Sequence, residues 1–220
     1  VKPAGLPPGS RPVLLVEGDG DREAVPLLVR RLFSEIGKPQ CSPAPKPIRC
    51  GDLPKLLRDG VLEKFVTYAC RRPDGDSVLL VVDCDDDCPP GVVGTLAQRV
   101  ESIGHQFQKR IGVALMHREF ETLFLYAVPD LAKRFQDLPW HLEGWDEERD
   151  WTEVRGAKER LRHHMGGRLY KETRHQSSFV SALNLPALEA RCRSLSHLLT
   201  TLRWLTEEEG TSAVHPPSRG

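Results

Sequence analysis

Residues 77–82 (Ser-Val-Leu-Leu-Val-Val) are apolar at every position after the first. A strand that faces water on one side alternates apolar and polar residues; one apolar on both sides must be covered on both, as in a parallel sheet sandwiched between helices. Residues 11–16 and 111–116 have the same texture. Between these runs lie stretches of helical periodicity. Residues 22–36 carry Val25, Leu28, Val29, Leu32, Phe33 and Ile36 at helical spacing, with Pro26 in the first turns, where a missing N–H costs least. Gly37-Lys38-Pro39 stops that helix. Residues 53–70, 92–110 and 120–135 read as further helices. Residues 43–49 read as an edge strand, because their prolines exclude a central one. Alternating strands and helices predict an α/β fold: a doubly wound, mostly parallel sheet with helices on both faces.

Beyond residue 138 the texture changes. Residues 140–150 are acidic, aromatic and aperiodic, 157–164 form a short charged helix, and 186–208 carry a continuous leucine face. The expected organisation is a flexible leader over 1–11, an α/β domain over 12–137, and a helical C-terminal extension over 138–209 that packs on the sheet and completes the site. A disordered tail over 210–220 follows.

The 31 basic and 31 acidic residues cancel. No global field recruits a polyanion, so a nucleic acid must be met by a local patch. The best candidate runs through Arg155, Lys158, Arg160, Arg162, His163 and His164 to Arg168, with a solvated helix face as the plain alternative. No apolar run approaches the roughly 18 residues of a membrane span, and the start of the chain lacks a signal-peptide layout. The six cysteines have no second Cys/His pair at structural-zinc spacing. They read as reduced thiols of a cytoplasmic protein.

The chemistry concentrates where the apolar runs end. Functional groups of a parallel sheet gather at the carboxyl ends of its strands. The first end presents Glu17 and Asp21, the second Asp83, Asp85 and Asp87, and the third leads into His117-Arg118-Glu119-Phe120-Glu121. Spacing of two in an extended segment points Asp83 and Asp85 into one crevice. Converging carboxylates repel one another unless a cation joins them, and hard oxygen donors select Mg²⁺, Mn²⁺ or Ca²⁺ over zinc. An EF-hand loop is excluded, because Cys88 and Gly94 stand at its sixth and twelfth positions. A phosphoacceptor site and a plain solvated acidic turn stay open. The chain has no GxxxxGK[ST] phosphate loop, which argues against ATP hydrolysis by this chain alone.

The pair Val16-Glu17-Gly18-Asp19-Gly20-Asp21 and Val82-Asp83-Cys84-Asp85-Asp86-Asp87 resembles the marks of a TOPRIM domain, a glutamate after the first strand and a DxD after a later one. The OLD-type nucleases of that family add an acidic residue and a downstream lysine, which Glu121 (Glu-Phe-Glu-Thr) and Lys171 (Leu-Tyr-Lys-Glu-Thr) match. The chain is most similar to short stand-alone TOPRIM-like bacterial proteins often encoded beside ATPases in phage-defence loci. The resemblance spans roughly residues 12–206. It implies phosphodiester hydrolysis of DNA, in preference to RNA, with one or two Mg²⁺ or Mn²⁺ ions. Glu17, Asp83, Asp85 and Lys171 would be catalytic, and Glu17, Asp21, Asp83, Asp85, Asp87 and Glu121 would be metal ligands. His117 and His175 are candidate proton shuttles. An ATPase in trans is the implied partner, with a homo-oligomer left open. The competing reading is a catalytically inactive metal-binding module that docks a partner.

Overall fold

The computed structural model describes residues 9–85, 89–207 and 212–216. Among the described residues five strands form one sheet: β1 (Pro12–Val16), β2 (Ile48–Arg49), β3 (Ser77–Asp83), β4 (Arg110–Met116) and β5 (Val214–His215). Their order is β2-β1-β3-β4-β5, and every pairing is parallel. The three apolar runs become the three central strands, as covering on both faces requires. The short segment before Cys50 takes the edge beside β1, with Leu15 opposite Ile48.

Alternation along the strands divides the core in two. Leu14, Val16, Leu79, Val81, Ala114 and Met116 face α1 (Asp21–Glu35) and the C-terminal half of the chain. Val13, Leu15, Val78, Leu80, Val82, Val113 and Leu115 face α2 (Leu53–Leu56), α3 (Val61–Cys70) and α4 (Pro89–Phe107). Helices therefore cover both faces of an α/β sheet.

Three predicted helices are broken in two. Residues 53–70 divide at Gly60, whose φ of +71° suits glycine and starts α3 afresh. Residues 120–135 divide into α5 (Thr122–Tyr126) and α6 (Val128–Arg134), with Pro129 in the first turn of the second. Residues 186–208 divide into α9 (Leu185–Glu189) and α10 (Arg193–Thr206). Periodicity survives each break because both pieces pack on the same core, so hydrophobic spacing alone does not reveal it.

The C-terminal half adds α7 (Ala157–His164) and α8 (Glu172–Ala182). Its Trp151, Leu161, Phe179 and Leu198 share one core with Leu14 and Val16 of β1. Phe179 of α8 lies 5.5 Å from Phe124, 5.1 Å from Phe135 and 5.7 Å from Trp140, ring centre to centre. These contacts fix α8 against α5 and α6. Arg31 of α1 donates to the carbonyls of Val180 and Leu183 at the other end of α8, satisfying groups that a helix terminus leaves open. The expected disordered tail instead contributes β5: Val214 is fully buried, and the N–H of Ile111 donates to the carbonyl of Ala213 at 2.9 Å. Residues 208–211 and 217–220 of that tail lie outside the described residues.

Candidate functional site

In this strand order the chain leaves β1 toward β2 on one side and leaves β3 toward β4 on the other. The crossovers diverge there and open a crevice at the strands' carboxyl ends, the usual ligand position of an open parallel sheet. Glu17 and Asp83 sit at those two strand ends. The cleft has a volume of about 640 Å³ and is lined by Glu17, Asp21, Asp83, Glu121, Lys158, Glu172 and Gln176, with Arg49, Asp52 and Lys55 at its β2 side. A cavity of about 690 Å³ at the opposite ends of the strands gathers no such cluster, and its Lys109 ammonium is engaged by the carbonyls of Arg72 and Gly75.

Three of the cleft's carboxylates, Glu17, Asp21 and Glu121, are held by hydrogen bonds. Glu17 Oε2 accepts the backbone N–H of Asp83 at 3.2 Å. Asp21 Oδ2 accepts from Gly18 N at 2.8 Å and its Oδ1 from Gln176 Nε2 at 2.9 Å. Glu121 is 1% exposed, and its Oε1 accepts the Tyr170 hydroxyl at 3.0 Å. Burial and mutual repulsion push all four groups toward protonation. Glu17 is raised to about 7, first by burial and then by Asp21 and Asp85. Glu121 is raised to about 7, chiefly by burial. Asp83 is pushed well above the carboxylate range by burial and then by Glu121, Glu17 and Asp21. Asp21 is raised by burial, against its hydrogen bonds.

The lysine that enters this cluster is Lys158. Its Nζ lies 2.6 Å from Glu172 Oε1. Burial opposes its charge, but Glu121 and Glu172 outweigh that and shift its pKa upward. Glu119 places it: its Oε1 accepts from Ala157 N at 2.9 Å and its Oε2 from Lys158 N at 3.4 Å, so the carboxylate caps the first turn of α7. The Glu-Phe-Glu motif thus divides its labour. Glu119 holds α7, Phe120 is buried in the core, and Glu121 faces the cleft.

The expected site residues are distributed unevenly. Glu17, Asp21, Asp83 and Glu121 converge. Asp85 does not join them in the lining: it is exposed with φ +45°, so the extended alternation stops short of it. Cys84 between them is fully buried in the core of the second face, and its N–H continues the β3–β4 ladder to Met116 O. Asp87 lies outside the described residues. Lys171 is exposed and starts α8 outside the cleft lining. His175 stacks on Tyr170 and accepts from Lys171 N, and His117 offers its N–H to Ser194 Oγ; neither ring lines the cleft.

Glu172, Gln176 and the cleft role of Lys158 escape the sequence reading. One signal was present. Ala157 and Leu161 mark the buried side of α7, which puts Lys158 at its margin, where a long stem packs and the amine reaches across.

The donor set suits a hard divalent ion. It offers the carboxylates of Glu17, Asp21, Asp83 and Glu121 and the amide of Gln176, whose buried Oε1 has no hydrogen-bond partner among the described residues. Among the described residues no three such acidic groups stand close enough to clasp one ion as they are. Coordination there requires side-chain rotation, or completion by water or further ligands.

The five described cysteines are free and buried, and no helix of the described residues is long and apolar enough to cross a membrane. Among curated proteins, none matches the chain. Among solved structures, the C-terminal region of the Burkholderia pseudomallei OLD protein aligns over 90% of this chain and 99% of that one, at 15% identity and a TM-score of 0.41. The family model described as "Domain of unknown function (DUF4276)" matches residues 16–203, from the last residue of β1 into α10, and the chain belongs to that family.

Proposed function

We propose that the cleft is a TOPRIM-like centre that hydrolyses phosphodiester bonds of nucleic acid, DNA in preference to RNA, with Mg²⁺ or Mn²⁺. The observation that carries this reading is the convergence of Glu17, Asp21, Asp83 and Glu121, four carboxylates on three separate strand ends, around the ammonium of Lys158. Such a cluster is unfavourable unless positive charge joins it, and one lysine does not balance four carboxylates.

A divalent cation in the cleft would polarise a phosphoryl oxygen and make a bound water acidic. The protein's own groups have separable tasks. Glu17 and Asp83 present oxygens at the floor, tied together by the Asp83 N–H. Tyr170 fixes the rotamer of Glu121. Gly18 and Gln176 hold Asp21. Lys158, charged and oriented by Glu119 and Glu172, faces the charge that builds on a phosphoryl group in its transition state. With no phosphate loop in the sequence, energy-dependent loading on a substrate is assigned to an ATPase in trans.

The test is incubation of the purified chain with supercoiled plasmid and Mg²⁺ or Mn²⁺, alone and with a co-encoded ATPase. Nicking that disappears in Asp83→Ala and persists in Lys64→Ala, a change on the far face, is the expected result. Absence of nicking in both settings overturns the reading in favour of a non-catalytic metal-binding module.

A further inference from the structure

The cleft floor is acidic, but its α7–α8 side carries an opposite surface. Arg160, Arg162, Arg168, Lys171 and Arg174 are all exposed, and among the described residues none of them forms an ion pair. The one acidic residue between 160 and 174 is Glu172, and it is engaged by Lys158. In a chain of zero net charge this is a concentrated excess of positive charge. Exposed cations with no acidic partner on one surface raise its potential and favour a bound anion.

Its position matters more than its charge. Lys158 and Arg162 lie one turn apart on the same side of α7, so the row begins inside the cleft and continues outward along the helix. Arg162 Nε reaches the carbonyl of Gly167 at 3.4 Å, which brings its head group to the turn that carries Arg168. Lys171 and Arg174, at helical spacing, extend the row along α8, next to Glu172 in the lining. Leu169, 58% exposed, stands within it and offers an apolar contact to a base or sugar. Across the cleft the β2 side carries Lys55 and Arg49, the latter paired with Asp19 at 3.0 Å on the exposed surface.

We infer that a nucleic-acid backbone lies along the α7–α8 ridge through Arg162, Arg168 and Lys171, crosses the acidic floor beside Lys158, and leaves past Arg49 and Lys55. The cations on the two sides take flanking phosphates, and only the phosphate over the floor meets the carboxylates. The identity of the polyanion rests on the phosphodiester reading above, while the ridge itself does not depend on catalysis.

The experiment measures binding without turnover. The full chain is titrated in EDTA against fluorescein-labelled single-stranded DNA, duplex DNA and RNA 20-mers, over a salt series starting near 50 mM, with anisotropy as readout. Arg162→Gln/Arg168→Gln/Lys171→Gln should bind about tenfold or more weakly at the lowest salt, with the slope of log K against log salt reduced by about two. Arg49→Gln/Lys55→Gln should lower the slope by about one to two. Lys64→Gln/Arg71→Gln, exposed on the opposite layer, should bind as the wild type does. Two results overturn the ridge: equal losses in the ridge and control variants, or wild-type binding in the ridge triple. The same triple assayed for plasmid nicking separates the two claims. Binding lost with no nicking by the wild type leaves the ridge standing and overturns the nuclease; nicking by the wild type with unaltered binding in the triple does the reverse. Because the three side chains are exposed, unchanged melting temperatures are expected and are measured alongside.

Discussion

Glu17 Oε2 accepts the N–H of Asp83 at 3.2 Å, joining the carboxyl ends of β1 and β3 where their crossovers diverge. This bond holds two carboxylates of one cleft together in surroundings that favour their neutral forms. The arrangement is costly above neutral pH unless a cation enters, and that cost has a direction.

A carboxylate whose pKa is higher in the folded chain binds its proton more tightly there, so it stabilises the fold at low pH and loses that contribution as pH rises. Glu17 and Glu121 move from the ordinary 4.5 to about 7. Stability of the metal-free protein should therefore fall between pH 4.5 and about 7 and level off above. Mn²⁺ binds the ionised forms and competes with the proton, so it should raise the melting temperature more at pH 8 than at pH 5.5. Thermal melts across pH, with and without Mn²⁺, check both signs. Glu17→Gln/Glu121→Gln should flatten the first trend and abolish most of the second.

Gly20 and Gly18 differ in what surrounds them. A Cβ at Gly20 would stand 2.4 Å from Gln176 Oε1 and 2.6 Å from Glu172 Cβ, whereas one at Gly18 meets nothing closer than 3.4 Å. Gly20 has φ −62°, so space rather than backbone conformation demands glycine there. Gly20→Ala should push α8 off the start of α1 and cost about 1–3 kcal/mol, as overpacking generally does. Gly18→Ala should stay within about 0.5 kcal/mol. Chemical denaturation measures both. Near-equal values would show that α8 is not packed on this turn.

These residues also show what sequence could convey. Uniform apolar runs specify buried parallel strands because the sheet's two faces impose the same demand on every position. That made β1, β3, β4 and the carboxylates at their ends legible. Glu172, Gln176 and Lys158 were not, because they reach the cleft only through packing of α7 and α8 on α1 and α5, a relation with no local periodicity. Asp85 was placed by assuming an extended loop, and one positive φ is enough to redirect a side chain. The strand β5 was hidden by its length of two residues.

Glu119 offers a test of how α7 is held. Its two oxygens accept from the first N–H groups of the helix, and an amide in its place keeps only one acceptor. Glu119→Gln should cost about 1 kcal/mol, the scale of a lost helix cap. The loss should also loosen Lys158, so nicking should decline more than stability explains. Glu119→Ala should exceed Glu119→Gln in both readouts. Loss of stability alone, with nicking intact after correction for folded fraction, would make Glu119 a cap without a positioning role.

Under the proposed function, Lys158 takes the charge-stabilising task that the TOPRIM resemblance implies for Lys171, and Lys171 contacts a flanking phosphate. Lys158 sits among the carboxylates with its charge reinforced, and Lys171 is exposed on the outer ridge. Removing an ammonium that faces developing charge affects the chemical step, whereas removing a peripheral phosphate contact weakens ground-state binding. Lys158→Met should lower kcat for nicking by about a hundredfold or more, the scale found for loss of one preorganised charge-stabilising donor. Lys171→Met should act mainly through KM, and its effect should shrink as salt rises because exposed charges are screened. A second readout isolates Lys158 from folding. Its charge lowers the cost of ionising Glu17, Asp83 and Glu121, so Lys158→Met should destabilise the metal-free protein more at pH 8 than at pH 5.5. A kcat loss confined to Lys171→Met, with Lys158→Met near wild type, would return the catalytic role to Lys171 and require α8 to turn inward when substrate binds.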